Sequence, residues 1–242
     1  GSVRILPHDL FENCKSLREV IFEEGVHTIG QRAFGNCSAL TKVKLPSTLR
    51  KILCRAFFCC SGLCSIDLPV GLKVIEEQAF SVTELRELEA PATVERIEYG
   101  AFSSNRRLES VILPPRLVMI ADELFWDCEQ LRYIQIPSTL ESIGSKALFG
   151  CSSLQSLDLS HCIHCVAIGS TAFQSCGQLS FIHLPPNLES IEGEAFFDCP
   201  QLTHVWMPPN VTSIGNKKYQ ELNPFASCTK LLSLELPEGL ES

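Results

Sequence analysis

Five consecutive residues, His161-Cys162-Ile163-His164-Cys165, carry four side chains of the kind that bind zinc. Zn²⁺ takes thiolate sulfur and imidazole nitrogen in a tetrahedron. Four ligands this close in sequence are poorly placed to converge on one ion, and no second C-x-x-C or H-x-x-H pair follows at finger-like spacing. A metal held by His161, Cys162, His164 and Cys165 is therefore the secondary alternative. The first expectation is a short bulge whose cysteines stand in for apolar residues, with no metal and no cofactor. Nucleophilic or phosphate chemistry finds less support. There is no G-x-x-x-x-G-K-[ST], no G-x-G-x-x-G after a strand, no H-E-x-x-H and no G-x-S-x-G. The six histidines, 8, 27, 161, 164, 183 and 204, do not fall beside a nucleophile and a carboxylate in a recognisable local arrangement. The sequence predicts a protein that is not an enzyme.

The elements that position these residues come from a repeat. An Ala-Phe pair or a close variant recurs at Leu10-Phe11, Ala33-Phe34, Ala56-Phe57, Ala79-Phe80, Ala101-Phe102, Leu124-Phe125, Ala147-Leu148, Ala172-Phe173, Ala195-Phe196 and Pro224-Phe225. Successive second residues lie 23, 23, 23, 22, 23, 23, 25, 23 and 29 apart. Aligned, the copies give L-x-x-[VIL]-x-[LI]-P-x-x-[LV]-x-x-I-x-x-x-A-F-x-x-C. In Leu40-Thr41-Lys42-Val43-Lys44-Leu45-Pro46 the apolar residues alternate with polar ones, the period of a half-buried strand. Proline then ends the strand, having no N–H for a ladder. The A-F-x-x-C corner is expected to turn as a short helical or 3₁₀ segment. One unit cannot bury its own apolar side, whereas stacked units bury it as a continuous core. Residues 1–242 are thus expected to form one elongated leucine-rich-repeat solenoid of about ten turns, each about 23 residues. Gly1-Ser2 reads as a cloning remnant, and incomplete repeats at both ends predict a segment of a longer, uncapped array.

This unit resembles the BspA-like leucine-rich repeats, which read L-P-x-x-L-x-x-I-x-x-x-A-F-x-x-C-x-x-L, and the likeness runs over essentially the whole sequence. It implies a right-handed solenoid with a parallel β-sheet on one face and short turns and loops on the other. It also implies adhesion or binding, since bacterial members attach to host matrix proteins from the cell surface.

Eight of the thirteen cysteines share one repeat slot: Cys14, Cys37, Cys60, Cys128, Cys151, Cys176, Cys199 and Cys228. Val82 or Thr83, and Asn105, fill it in the remaining copies. A residue type fixed to one slot points to packing, as a small, soft core side chain. In-register neighbours stack in parallel instead of facing each other, so a disulfide framework is not expected. Cysteine left reduced points to an intracellular setting. The resemblance points to the cell surface, and the sequon Asn210-Val211-Thr212 is compatible with secretion.

A formal net charge of −8 argues against neutralising phosphates, so nucleic acid and anionic membrane are poor partners. No apolar run reaches the ~18 residues of a membrane-spanning helix. A protein partner is the expectation. The central outward column of the strands reads Ile21, Lys44, Asp67, Glu89, Ile112, Gln135, Asp158, His183, Trp206 and Glu235. With the flanking positions, Tyr133, Gln135, Phe181, His183, His204 and Trp206 come to one face as candidate contacts. Single exposed aromatics are also ordinary on a sheet. The insertion after Gly215 adds Lys217, Lys218 and Tyr219 as a candidate binding loop. Phe58, Trp126, Phe149 and Phe197 share another position, either as a convex apolar stripe or packed partly between turns. Two functions follow: a non-catalytic binding or adhesion module using the sheet face, or a rigid spacer in a larger protein.

Overall fold

The computed structural model describes residues 4–215, 223–238 and 240. Lys217, Lys218 and Tyr219 lie outside them. The chain winds as a parallel-strand solenoid whose turns repeat at the sequence period. Three-residue strands form the main face, at Glu19–Ile21, Lys42–Lys44, Glu87–Glu89, Ser110–Ile112, Tyr133–Gln135, Ser156–Asp158, Phe181–His183, His204–Trp206 and Ser233–Glu235. Each sets its middle residue in the core and its outer two toward solvent, as period-2 geometry requires. Val111 pairs with Leu88 on one side and Ile134 on the other, so apolar residues stack on apolar residues from turn to turn.

A second parallel ladder was not expected. Two-residue strands ending on the repeat isoleucine pair through Ile29, Ile52, Ile75 and Ile97, and again through Ile120, Ile143, Ile168, Ile191 and Ile214. The back of the solenoid is therefore hydrogen-bonded between turns as well as the front.

The corner also departs from expectation. Among the described residues it contains turns but no helix. Each corner from Asp9–Asn13 to Glu194–Asp198 places two residues in the left-handed region four positions apart, such as Arg32 (φ 50°) with Asn36 (φ 60°) and Glu123 (φ 56°) with Asp127 (φ 61°). An L-residue with positive φ breaks a right-handed helical run. Hydrogen bonds to the next turn offset that strain: Arg32 N–H to Cys54 O at 3.0 Å, Phe34 N–H to Ala56 O at 2.8 Å and Asn36 N–H to Phe58 O at 2.7 Å. A helix would satisfy these groups within the turn and lose the bond to the neighbour.

Inside the corner the Phe rings stack. Phe11, Phe34, Phe57, Phe80, Phe102 and Phe125 follow one another at centroid distances of 5.2 to 6.2 Å. Leu148 interrupts the column, which resumes through Phe173, Phe196 and Phe225. One hydrophobic cluster runs through these turns from Ile29 to Cys228.

Candidate functional site

The main face presents its outward side chains at the regular spacing of parallel strands. It is not one sheet. Pairing stops at Cys64–Asp67, which forms no strand, and again between Tyr133–Gln135 and Ser156–Asp158. A groove opens at each interruption. The larger, about 830 Å³, is lined by Tyr133, Gln135, Asp158 and His161 with Ile112 and Glu89. The smaller, about 500 Å³, lies over Cys64, Asp67, Glu87 and Glu89.

The structure places Tyr133, Gln135, Phe181, His183, His204 and Trp206 on this face, all exposed. Relative exposure is 54% for Tyr133, 42% for Phe181 and 58% for Trp206, high for side chains of this size. Tyr133 and Gln135 stand on one side of the larger groove, within 3.4 Å of each other through the phenol oxygen and Oε1. The other four share the sheet that begins beyond the groove. There the Phe181 and His183 rings meet edge-on at 4.4 Å, and His183 Nδ1 lies 3.3 Å from Asp158 Oδ1. Hydrogen bonds from Ser160 hold the Asp158 carboxyl below the usual carboxylate range, and His183 and His161 add to this. The edge of the groove is therefore anionic.

Sequence reasoning missed the grooves and, with them, the placing of Asp158 and His161 at the rim of one. A signal existed. The larger groove precedes the turn with two extra residues and no proline, and the smaller precedes the turn with one residue fewer. Irregular turns cannot keep the ladder in step.

The four residues of the zinc alternative do not converge. Cys162 and Cys165 are fully buried, whereas His161 and His164 are exposed. The Cys162 thiol reaches Pro137 O at 3.6 Å, and His161 Nε2 lies 2.9 Å from Ile136 O. Burial pushes the Cys162 thiol up to about 11 and Cys165 up to about 12, as befits side chains packed in the core. Among the described residues no group of three or more His, Cys, Asp or Glu is placed to hold a metal ion.

The repeated cysteines do more than fill space. Sγ of Cys37, Cys60, Cys128, Cys151, Cys199 and Cys228 lies 3.1 to 3.3 Å from the carbonyl oxygen of the corner Phe one turn earlier, and Cys176 bonds Leu148 in the same way. Asn105 takes over with Nδ2, 2.8 Å from Phe80 O. The slot in the shortened turn belongs to Thr83, buried and bonded to Asn105, and not to Val82, which is exposed. All thirteen cysteines are free thiols. Phe58, Trp126, Phe149 and Phe197 are half-buried, with Trp126 stacked on Phe149, so partial packing between turns describes them better than a stripe.

The BspA type leucine-rich-repeat region is matched in six copies over residues 1–109 and 101–224. A leucine-rich-repeat protein of T. pallidum is 35% identical over 63% of this chain and 72% of its own, with a TM-score of 0.60. A leucine-rich cell surface protein of Faecalibacterium prausnitzii is 23% identical, covering 98% of this chain and 72% of its own at a TM-score of 0.55. The pneumococcal vaccine antigen PcpA is 22% identical, covering 81% and 58% at 0.54. No curated protein matches the chain.

Proposed function

Because the chain belongs to the BspA-type leucine-rich-repeat family, we propose that it is a non-catalytic protein-binding or adhesion module that seats its partner on the main face between Tyr133 and Trp206. Proteins of this repeat type are generally interaction or adhesion scaffolds. The observation that carries the finer reading is the exposure of Tyr133, Phe181 and Trp206 on the main face, Tyr133 on one side of the larger groove and the other two on the sheet beyond it. Tyrosine and tryptophan are the side chains that most often dominate interface energies. Here strand alternation fixes their direction, so little ordering entropy is lost when a partner arrives. The larger groove between Tyr133 and Asp158 offers a recess for an inserted side chain.

Capture from cell lysate and from extracellular matrix tests this, with wild type beside a Trp206→Ala/Tyr133→Ala variant. A partner held by wild type and lost by a still-folded variant supports the assignment. Equal capture by both moves the site to another surface. Capture by neither favours a rigid spacer.

A further inference from the structure

Most of the charge on the first five turns of the main face is unpaired among the described residues; the exception is Lys42 with Glu19, at 2.6 Å. Lys44, Glu87 and Glu89 are exposed there, and among the described residues none of them forms an ion pair, nor do Arg18 and Glu109. On other surfaces charges pair from turn to turn, as Lys73 does with Glu95 at 2.6 Å and Lys146 with Glu123 at 3.2 Å. Two large aliphatic side chains, Ile21 and Ile112, are exposed on the same face, in the first and fifth of these turns.

The order of these residues is self-complementary. One column reads Ile21, Lys44, Asp67, Glu89, Ile112, and the column beside it Glu19, Lys42, Ser65, Glu87, Ser110. A two-fold axis lying in the face, parallel to the neighbouring strands and passing through the unpaired segment Ser65–Asp67, reverses the turns and preserves the columns. It sets Lys44 opposite Glu89 of a second copy, and it sets Lys42, already joined to Glu19 in its own chain, opposite that copy's Glu87. Arg18 then meets Glu109, and Ile21 packs on Ile112. Symmetry makes each of these off-axis contacts twice, as in any isologous interface. The one like-charge meeting is Asp67 with its own counterpart, and each Asp67 has a Lys44 one turn away.

We propose that these five turns dock face to face, antiparallel, on the same turns of a second copy of this chain. The interface ends at Glu89 and Ile112, which also border the larger groove; the exposed side chains from Tyr133 to Trp206 lie beyond it and stay free for another partner. Three outward positions in each of five turns, with Glu109 and Ser110 half-buried in the fifth, fall short of the roughly 20 residues a side of a standard interface. The dimer is accordingly weak, and it weakens further with salt because its pairs lie near solvent.

The test is sedimentation velocity at low ionic strength, from about 5 to about 500 µM, the range that brackets weak dissociation constants. Wild type is expected to dimerise with rising concentration. Lys42→Glu/Lys44→Glu and Glu87→Lys/Glu89→Lys are each expected to weaken association at least about tenfold. Mixed together, the two variants regain a one-to-one dimer, which also shows that both are folded. The axis places Cys64, an exposed thiol, beside its counterpart. In a Cys14→Ser background a short bis-maleimide should trap the dimer through Cys64 and fail in Cys64→Ser. Wild type that stays monomeric throughout, reversed variants that associate as well as wild type, a mixture that does not recover, or a dimer not trapped through Cys64 would each overturn the proposal.

Discussion

The thiol of Cys128 lies 3.3 Å from the main-chain oxygen of Phe102, the ring-bearing residue of the preceding turn. The oxygen is buried among stacked aromatics and receives a donor from each of two successive turns, because Asn105 Nδ2 bonds it as well at 2.9 Å. A small apolar residue would fill the slot but give up the donor.

Asn105 shows the cost of losing that donor. Its amide bonds the carbonyls of Phe80 and Phe102, and its oxygen meets Thr83, all within the core. Asn105→Ala strands these buried groups and should destabilise by about 3 kcal/mol, the upper end for an unsatisfied polar site. Asn105→Cys restores a donor to Phe80 and should recover at least half of the loss. Urea unfolding of both variants measures this. Equal loss in both would mean that the slot is only a matter of volume.

The thiols also set an alkaline limit. Burial pushes Cys60, Cys128 and Cys176 up to about 12, whereas in the unfolded chain a thiol ionises near about 8.5. Below that unfolded value both states are protonated and the contribution is full. Above it only the unfolded state gives up its proton, so stability falls as pH rises toward the folded value. Each such thiol withdraws about 1.4 kcal/mol per pH unit in that window. The urea midpoint should be level from about pH 7 to 8 and drop steeply beyond about 9. A Cys60→Ala/Cys128→Ala/Cys176→Ala variant, less stable at neutral pH, should show a shallower alkaline slope.

Thiol labelling should separate three classes. Cys14 and Cys64 are exposed, Cys54 and Cys59 half-buried, and the other nine buried. At neutral pH a maleimide should modify the first two quickly and the next two slowly, since reaction needs an accessible thiolate. All thirteen should react in denaturant. Rapid modification of Cys151 or Cys176 in the folded protein would contradict the stacked corner.

Phe57 stacks on Phe34 at 5.3 Å and on Phe80 at 5.2 Å. Phe57→Ala empties a fully enclosed site and should cost about 3–5 kcal/mol. Phe57→Leu should cost about 1 kcal/mol, within the range for apolar swaps of similar size, because Leu148 already occupies this slot in another turn, fully buried. Thermal and urea denaturation of the two variants should rank them in that order.

Much of this molecule was legible from the repeat. Every unit sets a given slot in the same surroundings, so aligning the copies averages out what one segment leaves ambiguous. That is why the strands, their buried middle residues and the exposed positions of Tyr133, Phe181 and Trp206 follow from spacing alone. The corner was only partly legible: Asn13, Asn36, Asp127 and Gly150 are of types that favour positive φ, but Arg32, Gln78 and Lys146 carry no local signal for it. Hydrogen bonds from one turn to the next hold them there. A single turn read alone contains no trace of those bonds.

What the sequence determined by itself is the period, the side of each turn that must be buried and therefore the stacked fold: period-2 alternation and a recurring apolar set allow no other way to hide that surface. What only the tertiary structure decided is how neighbouring turns meet: the second ladder through Ile29 and Ile52, the two interruptions of the main sheet with their grooves, and the cysteine thiols bonded to carbonyls one turn away. These depend on the register and spacing of segments more than twenty residues apart, where a one-residue change in one turn shifts what its neighbour can reach.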